Sequence, residues 1–194
     1  MSGSPRRLKI VMFGDDRVGK SAFMHRYARR EFRAEYEPSQ PPVLYTIEIH
    51  YNNALVIFDI WDIPPGIPCE DLVRDSNGAI LMFDLQRPST YESIQRYYTN
   101  MLPIFDCEDR LPIPVVICGN KVDYLQRKVK PQKITYHREK GLQYYDFSVR
   151  CLYNFEKPLL FLARRVLGDP YLEYVVLPDV GEKLDMERHG EYYA

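Results

Sequence analysis

Six short apolar runs set the rhythm of this chain: LKIVMF (8–13), VLYTIEIHY (43–51), ALVIFDIW (54–61), AILMFD (79–84), VVICGN (115–120) and LQYYDF (142–147). Rich in Val, Ile, Phe and Tyr, they read as strands, and helical stretches between them predict an α/β fold: a mostly parallel six-stranded sheet with helices on both faces. Only Asn52-Asn53 separates the second run from the third, which predicts a tight hairpin and one antiparallel pair. Ser89-Thr90-Tyr91-Glu92 has capping-box spacing and predicts a helix to about Met101. In NFEKPLLFLARRVLG, Phe155, Leu159, Leu162 and Val166 recur at helical spacing, with a stop at Gly168. Past Pro170 the chain turns polar and acidic. The expected organisation is an N-terminal tail (1–7), one domain (8–170) and a C-terminal tail (171–194) that docks a short helix.

Composition adds limits. The chain has 194 residues, 45% apolar and 27% charged, enough for one core and short for two. A net charge of −1 gives no global attraction to nucleic acid or anionic membrane, and neither is expected as a partner. No apolar segment reaches the length of a membrane span, so a soluble, unanchored protein is expected. Cys69, Cys107, Cys118 and Cys151 lack zinc-ligand or thioredoxin spacing and read as reduced thiols, which suits a nuclear or cytoplasmic setting.

The chemistry lies at the ends of the runs. GDDRVGKS (14–21) fits the phosphate-loop pattern, with a strand before it and a helix after. Backbone N–H groups across Asp15, Asp16, Arg17, Val18 and Gly19 would cradle phosphates, Lys20 would neutralise their oxygens, and Ser21 would offer its hydroxyl to Mg²⁺. After the fifth run stands NKVD. Asp123 there can accept from N1–H and the 2-amino group of guanine, whereas adenine has neither donor. Lys121 would lie along the base, and Asn120 would tie this loop to the phosphate loop.

With these motifs, and with CGNKVD, RKVK, LQYYDFS, YNFEKPLL and GDPYLEYV, the chain resembles Ras-superfamily small GTPases over about residues 7–178, and among them the Ran family of nuclear transport. The resemblance implies the small-GTPase phosphate-loop fold, with GTP or GDP and Mg²⁺ bound. It implies that Phe32 stacks edge-on against guanine and that the amides of Ser148-Val149-Arg150 face the guanine oxygen. It also implies Mg²⁺ contacts by Ser21, by Ser39 where the family has threonine, and by Asp62 through water. Implied partners are importin-β-type transport receptors, an exchange factor and Ran-binding domains, the last two through a second switch that is rebuilt here. YHREKG (136–141) resembles a basic patch of the family, diluted by Glu139; an ordinary solvated face is the alternative.

Departures gather at the γ-phosphate. Where the family reads Asp-Thr-Ala-Gly-Gln, this chain reads Asp62-Ile63-Pro64-Pro65-Gly66-Ile67, and the family glycine falls on Pro65, which has no N–H. No glutamine occurs from Asp62 to Gly78, so no catalytic residue is assigned. The segment is about four residues shorter than in the family. Asp16 and Arg17 replace two glycines: Asp16 either obstructs an incoming arginine finger or is a tolerated loop residue, and Arg17 sits where it favours ground-state binding over transfer. Pro38, Pro41 and Pro42 either stiffen the first switch or replace ordered structure there. The expectation is a guanine-nucleotide-binding protein with impaired hydrolysis; a nucleotide-insensitive interaction module is the alternative, and a kinase fits poorly.

Overall fold

In the computed structural model, residues 4–33, 41–105 and 113–184 are described. Ser39 and Cys107 lie outside them. Six strands, β1 (Arg6–Phe13), β2 (Val43–His50), β3 (Leu55–Asp62), β4 (Gly78–Asp84), β5 (Val115–Asn120) and β6 (Gln143–Asp146), form one sheet in the order β2-β3-β1-β4-β5-β6. Only the β2–β3 pair is antiparallel, closed by a two-residue turn in which the Tyr51 N–H donates to the Ala54 carbonyl. β4 and β5 are buried throughout, as the continuous apolar runs of a central parallel sheet require.

Helices α1 (Lys20–Arg29) and α5 (Lys157–Leu167) cover one face, where Phe23, Met24, Leu159, Leu162 and Ala163 pack on Ile10, Met12, Ile80 and Val116. Helices α2 (Glu70–Arg74) and α3 (Pro88–Phe105) cover the other, where Val73, Ile94 and Met101 meet Val11, Leu81 and Ile117. A four-residue helix, α4 (Tyr136–Glu139), precedes β6, and the Tyr91 hydroxyl accepts the N–H groups of Thr135 and Tyr136 at its start. Gly168 ends α5 in the left-handed conformation at φ 69°.

Two expectations change. α3 starts at Pro88, whose fixed φ suits a first turn, so Ser89 is not its cap. The Thr90 hydroxyl instead accepts the Asp84 N–H and donates to the Arg87 carbonyl, sealing the β4–α3 corner. The helix also passes Met101 to Phe105 across Pro103, which forfeits one bond in the last turn. Past Pro170 no helix forms through residue 184. The chain instead bridges Tyr174 to Tyr51, donates the Val175 N–H to His50 and buries Leu172 in the core. No described helix is long and apolar enough to cross a membrane. Cys69, Cys118 and Cys151 are free thiols.

Directly after Asp62 the chain enters the core. The Ile63 N–H donates to the Met12 carbonyl, extending the β3–β1 pairing, and its side chain, 1% exposed, packs among Val11, Phe13 and Val73. Ile63→Ala should therefore cost about 3 kcal/mol of unfolding free energy in urea titrations. A cost below about 1 kcal/mol, the range of surface changes, would contradict this placement.

Candidate functional site

Strands β1, β3, β5 and β6 deliver their C-terminal ends to one edge of the sheet, where ligands of open α/β folds bind. The loop after β1 turns twice through left-handed backbone, at Arg17 (φ 59°) and Gly19 (φ 106°). Gly19 is needed there for a second reason: a Cβ would come within 2.1 Å of the Asn120 side-chain nitrogen. Lys20 is 7% exposed, and its Nζ donates to the carbonyls of Gly14 (2.8 Å) and Asp15 (3.3 Å). Burial lowers its pKa, opposed by the charges of Asp62, Asp16 and Asp15.

Ser21 donates its hydroxyl to Asp62 Oδ2 at 2.6 Å, joining the start of α1 to the end of β3. Asp62 is fully buried, and burial raises its pKa against the pull of Lys20 and the Ser21 hydrogen bond. Beside this pair the Tyr45 hydroxyl meets His25 Nε2 at 3.2 Å.

On the other side, Asn120 sits between three loops. Its Nδ2 donates to the Val18 carbonyl (2.8 Å), and its Oδ1 accepts the N–H groups of Lys121 (2.7 Å) and Val149 (3.2 Å). Lys121, at φ 67°, reaches Asp84 Oδ2 at 2.9 Å. The Ser148 hydroxyl accepts the N–H groups of Arg150 (3.1 Å) and Cys151 (3.0 Å). Asp123 is 1% exposed, and neither carboxylate oxygen has a hydrogen-bond partner among the described residues.

The family model for the Ras family matches residues 9–168. The chain belongs to the Ras family. Members of that family bind GTP or GDP with Mg²⁺, and this site fits both ligands by its own chemistry. A buried carboxylate with two unsatisfied acceptors suits the paired N–H donors of guanine, since leaving both unmet costs free energy. Asp62 Oδ1 likewise has no partner among the described residues, a hard oxygen beside the Ser21 hydroxyl that suits a hydrated Mg²⁺.

The Ras-family site is assembled unevenly. Asp16 and Arg17 are exposed on the phosphate loop, whereas the Asp15 carboxylate turns away to accept from Tyr97 (2.8 Å) and Arg96 (3.5 Å) of α3. Val18 is fully buried and contributes its carbonyl to Asn120. Phe32 packs partly on the core beneath Arg26, whose Cζ lies 5.4 Å from the ring centre. The Val149 N–H donates to Asn120 Oδ1 and the Arg150 N–H to the Ser148 hydroxyl, which sets this loop beside the Asn120 junction.

Sequence reasoning passed over three residues. Buried Arg26 donates to the carbonyls of Val149, Arg150, Val180 and Glu182, bracing the base loop and the C-terminal stretch together. Its spacing three residues after Phe23, on the buried face of α1, was the available signal. Arg87 reaches the phosphate loop from the loop before α3 and Tyr97 from α3 itself, contacts that no local pattern encodes.

Because burial raises the Asp62 pKa, its charged form destabilises the ligand-free fold. The native state holds the proton more tightly than the unfolded chain, so this term weakens stability as pH rises above the ordinary carboxylate range and vanishes below it. Asp62→Asn should raise the melting temperature of nucleotide-free protein at pH 7, with the gain fading on acidification towards pH ~4. Calorimetry across pH checks this, and lower stability of the variant at pH 7 would refute it.

Proposed function

We propose that this Ras-family protein is a Ran-like regulator of nucleocytoplasmic transport that binds GTP and Mg²⁺, engages importin-β-type receptors in its GTP form, and hydrolyses GTP slowly. The observation that carries the reading is a contrast within one site. Lys20, Ser21, Asp62, Asn120 and Asp123 stand together, while the segment after Asp62 runs through Ile63 into the core and offers Pro65 where an N–H would meet the γ-phosphate. Nearby Gln86 directs its amide to the Lys121 carbonyl at 3.4 Å, on the base side, and does not replace the missing catalytic glutamine.

Each residue of the site has a role in this reading. Backbone groups of Asp15, Asp16, Arg17, Val18 and Gly19 cradle the phosphates, Lys20 neutralises them, and Ser21 and Asp62 hold Mg²⁺ with Ser39. Asp123, Lys121, Phe32 and the Ser148-Val149-Arg150 loop surround guanine. A complete site of this type turns over at about 10⁻⁴ s⁻¹ unaided, and an arginine finger adds a factor of about 10³–10⁵. With no glutamine to orient water and with Asp16 exposed on the loop, that gain is largely withheld.

The transport assignment rests on the family-like C-terminal half and on the 136–141 patch. Arg138 and Lys140 are exposed there, while the His137 ring stacks on Tyr144 at 4.9 Å and is drawn away from the patch. A nuclear and cytoplasmic distribution accompanies this role. Exchange-factor and Ran-binding-domain contacts would run in part through the rebuilt second switch. The burial of Ile63 favours one alternative, a module that binds receptors without sensing nucleotide, since a segment fixed in the core responds little to the γ-phosphate.

Single-turnover GTP hydrolysis should run no faster than about 10⁻⁴ s⁻¹ and gain less than about tenfold from a Ran-activating protein. Stimulation as large as that of intact family members would defeat the deficiency. Receptor binding should favour the GTP form, and equal binding of the GDP form would select the module.

A further inference from the structure

Two glycines of the family's phosphate loop are Asp16 and Arg17 here, yet Arg17 keeps the left-handed backbone that glycine adopts without cost (φ 59°). Something outside the loop must hold it. Arg87, at the β4–α3 corner, donates from one guanidinium nitrogen to the Asp16 carbonyl at 2.6 Å and from Nε to Asp84 Oδ2 at 3.1 Å. Asp84 is 2% exposed, and its other oxygen accepts the Gln86 N–H at 2.8 Å, so the anchor is a fixed one.

The Asp16–Arg17 peptide is planar and trans, so its C=O and N–H point in opposite directions. With the carbonyl held by Arg87, the Arg17 N–H is turned to the opposite side of the peptide, away from Arg87. We infer that Arg87 is a positioning residue for phosphate binding: it pins the Asp16 carbonyl and so maintains the N–H orientation that glycine would otherwise supply at position 17. Tyr97 and Arg96 hold the preceding residue through the Asp15 carboxylate, which leaves the strained peptide between two fixed points.

The inference rests on the proposed nucleotide binding, and a double-mutant cycle separates the two. Full-length protein is loaded with N-methylanthraniloyl-GDP in Mg²⁺ buffer, and release is timed after a chase with unlabelled GDP for wild type, Arg87→Ala, Arg17→Gly and the double variant. Arg87→Ala should speed release about tenfold, the equivalent of one left-handed non-glycine residue no longer held. In the Arg17→Gly background the same change should alter release by less than about twofold, because glycine needs no pin. Equal acceleration in both backgrounds would overturn the inference, since Arg87 would then act through Asp84 and Lys121; so would no acceleration in either. Where Arg87→Ala is not recovered folded, Arg87→Gln takes its place in both backgrounds with the same expectations. A wild-type chain that takes up no labelled GDP would overturn nucleotide binding itself, before any variant is compared.

Discussion

A single buried amide, that of Asn120, decides whether this edge of the sheet is one site or two. Three loops that start from different strands meet on it: the phosphate loop through Val18, the guanine loop through Lys121, and the loop after β6 through Val149. Each bond is worth only about 1 kcal/mol net, but an unpaired amide in this place would cost more than a bond gains. Gly19 is forced by the same contact, since any side chain there would collide with the Asn120 nitrogen. The distance between phosphate and base subsites is thereby built into the fold rather than left to the ligand.

Around that junction stand the groups that would grip a nucleotide, and in the proposed reading the groups that would cut it are missing. The gripping groups are buried and charged, and they strain the ligand-free protein: Lys20 is held below its usual pKa and Asp62 above it, both by burial. Such groups persist where a ligand relieves them. The segment after Asp62 runs into the core through Ile63. A short span with three prolines has little freedom to loop outward, and Ile63 gains more from apolar neighbours than it could at a phosphate.

Much of this was readable in the residues. The six runs fell within one or two positions of the strands, and Asn52-Asn53 marked the hairpin, because period and turn chemistry are local. Asn120 and Asp123 could be placed because a strand must end just before them. The errors share a cause. Ser89 looked like a cap, but Pro88 already starts the helix and Thr90 serves the corner. The stretch past Pro170 reads as a tail, yet Leu172 is buried in the core, Tyr174 bridges to Tyr51 and the Val180 carbonyl accepts from Arg26, both more than a hundred residues away. Arg26, Arg87 and Tyr97 act on loops that only tertiary structure brings near. Local pattern predicts elements and motifs, and it is blind to the side chains that brace one loop from another element.

Everything proposed for this site comes down to a guanosine triphosphate held intact. The most direct measurement is to denature the freshly purified protein and identify and count the nucleotide released. Close to one guanine nucleotide per chain, with GTP exceeding GDP, is the predicted result. An empty chain, an adenine nucleotide, or GDP alone would contradict it.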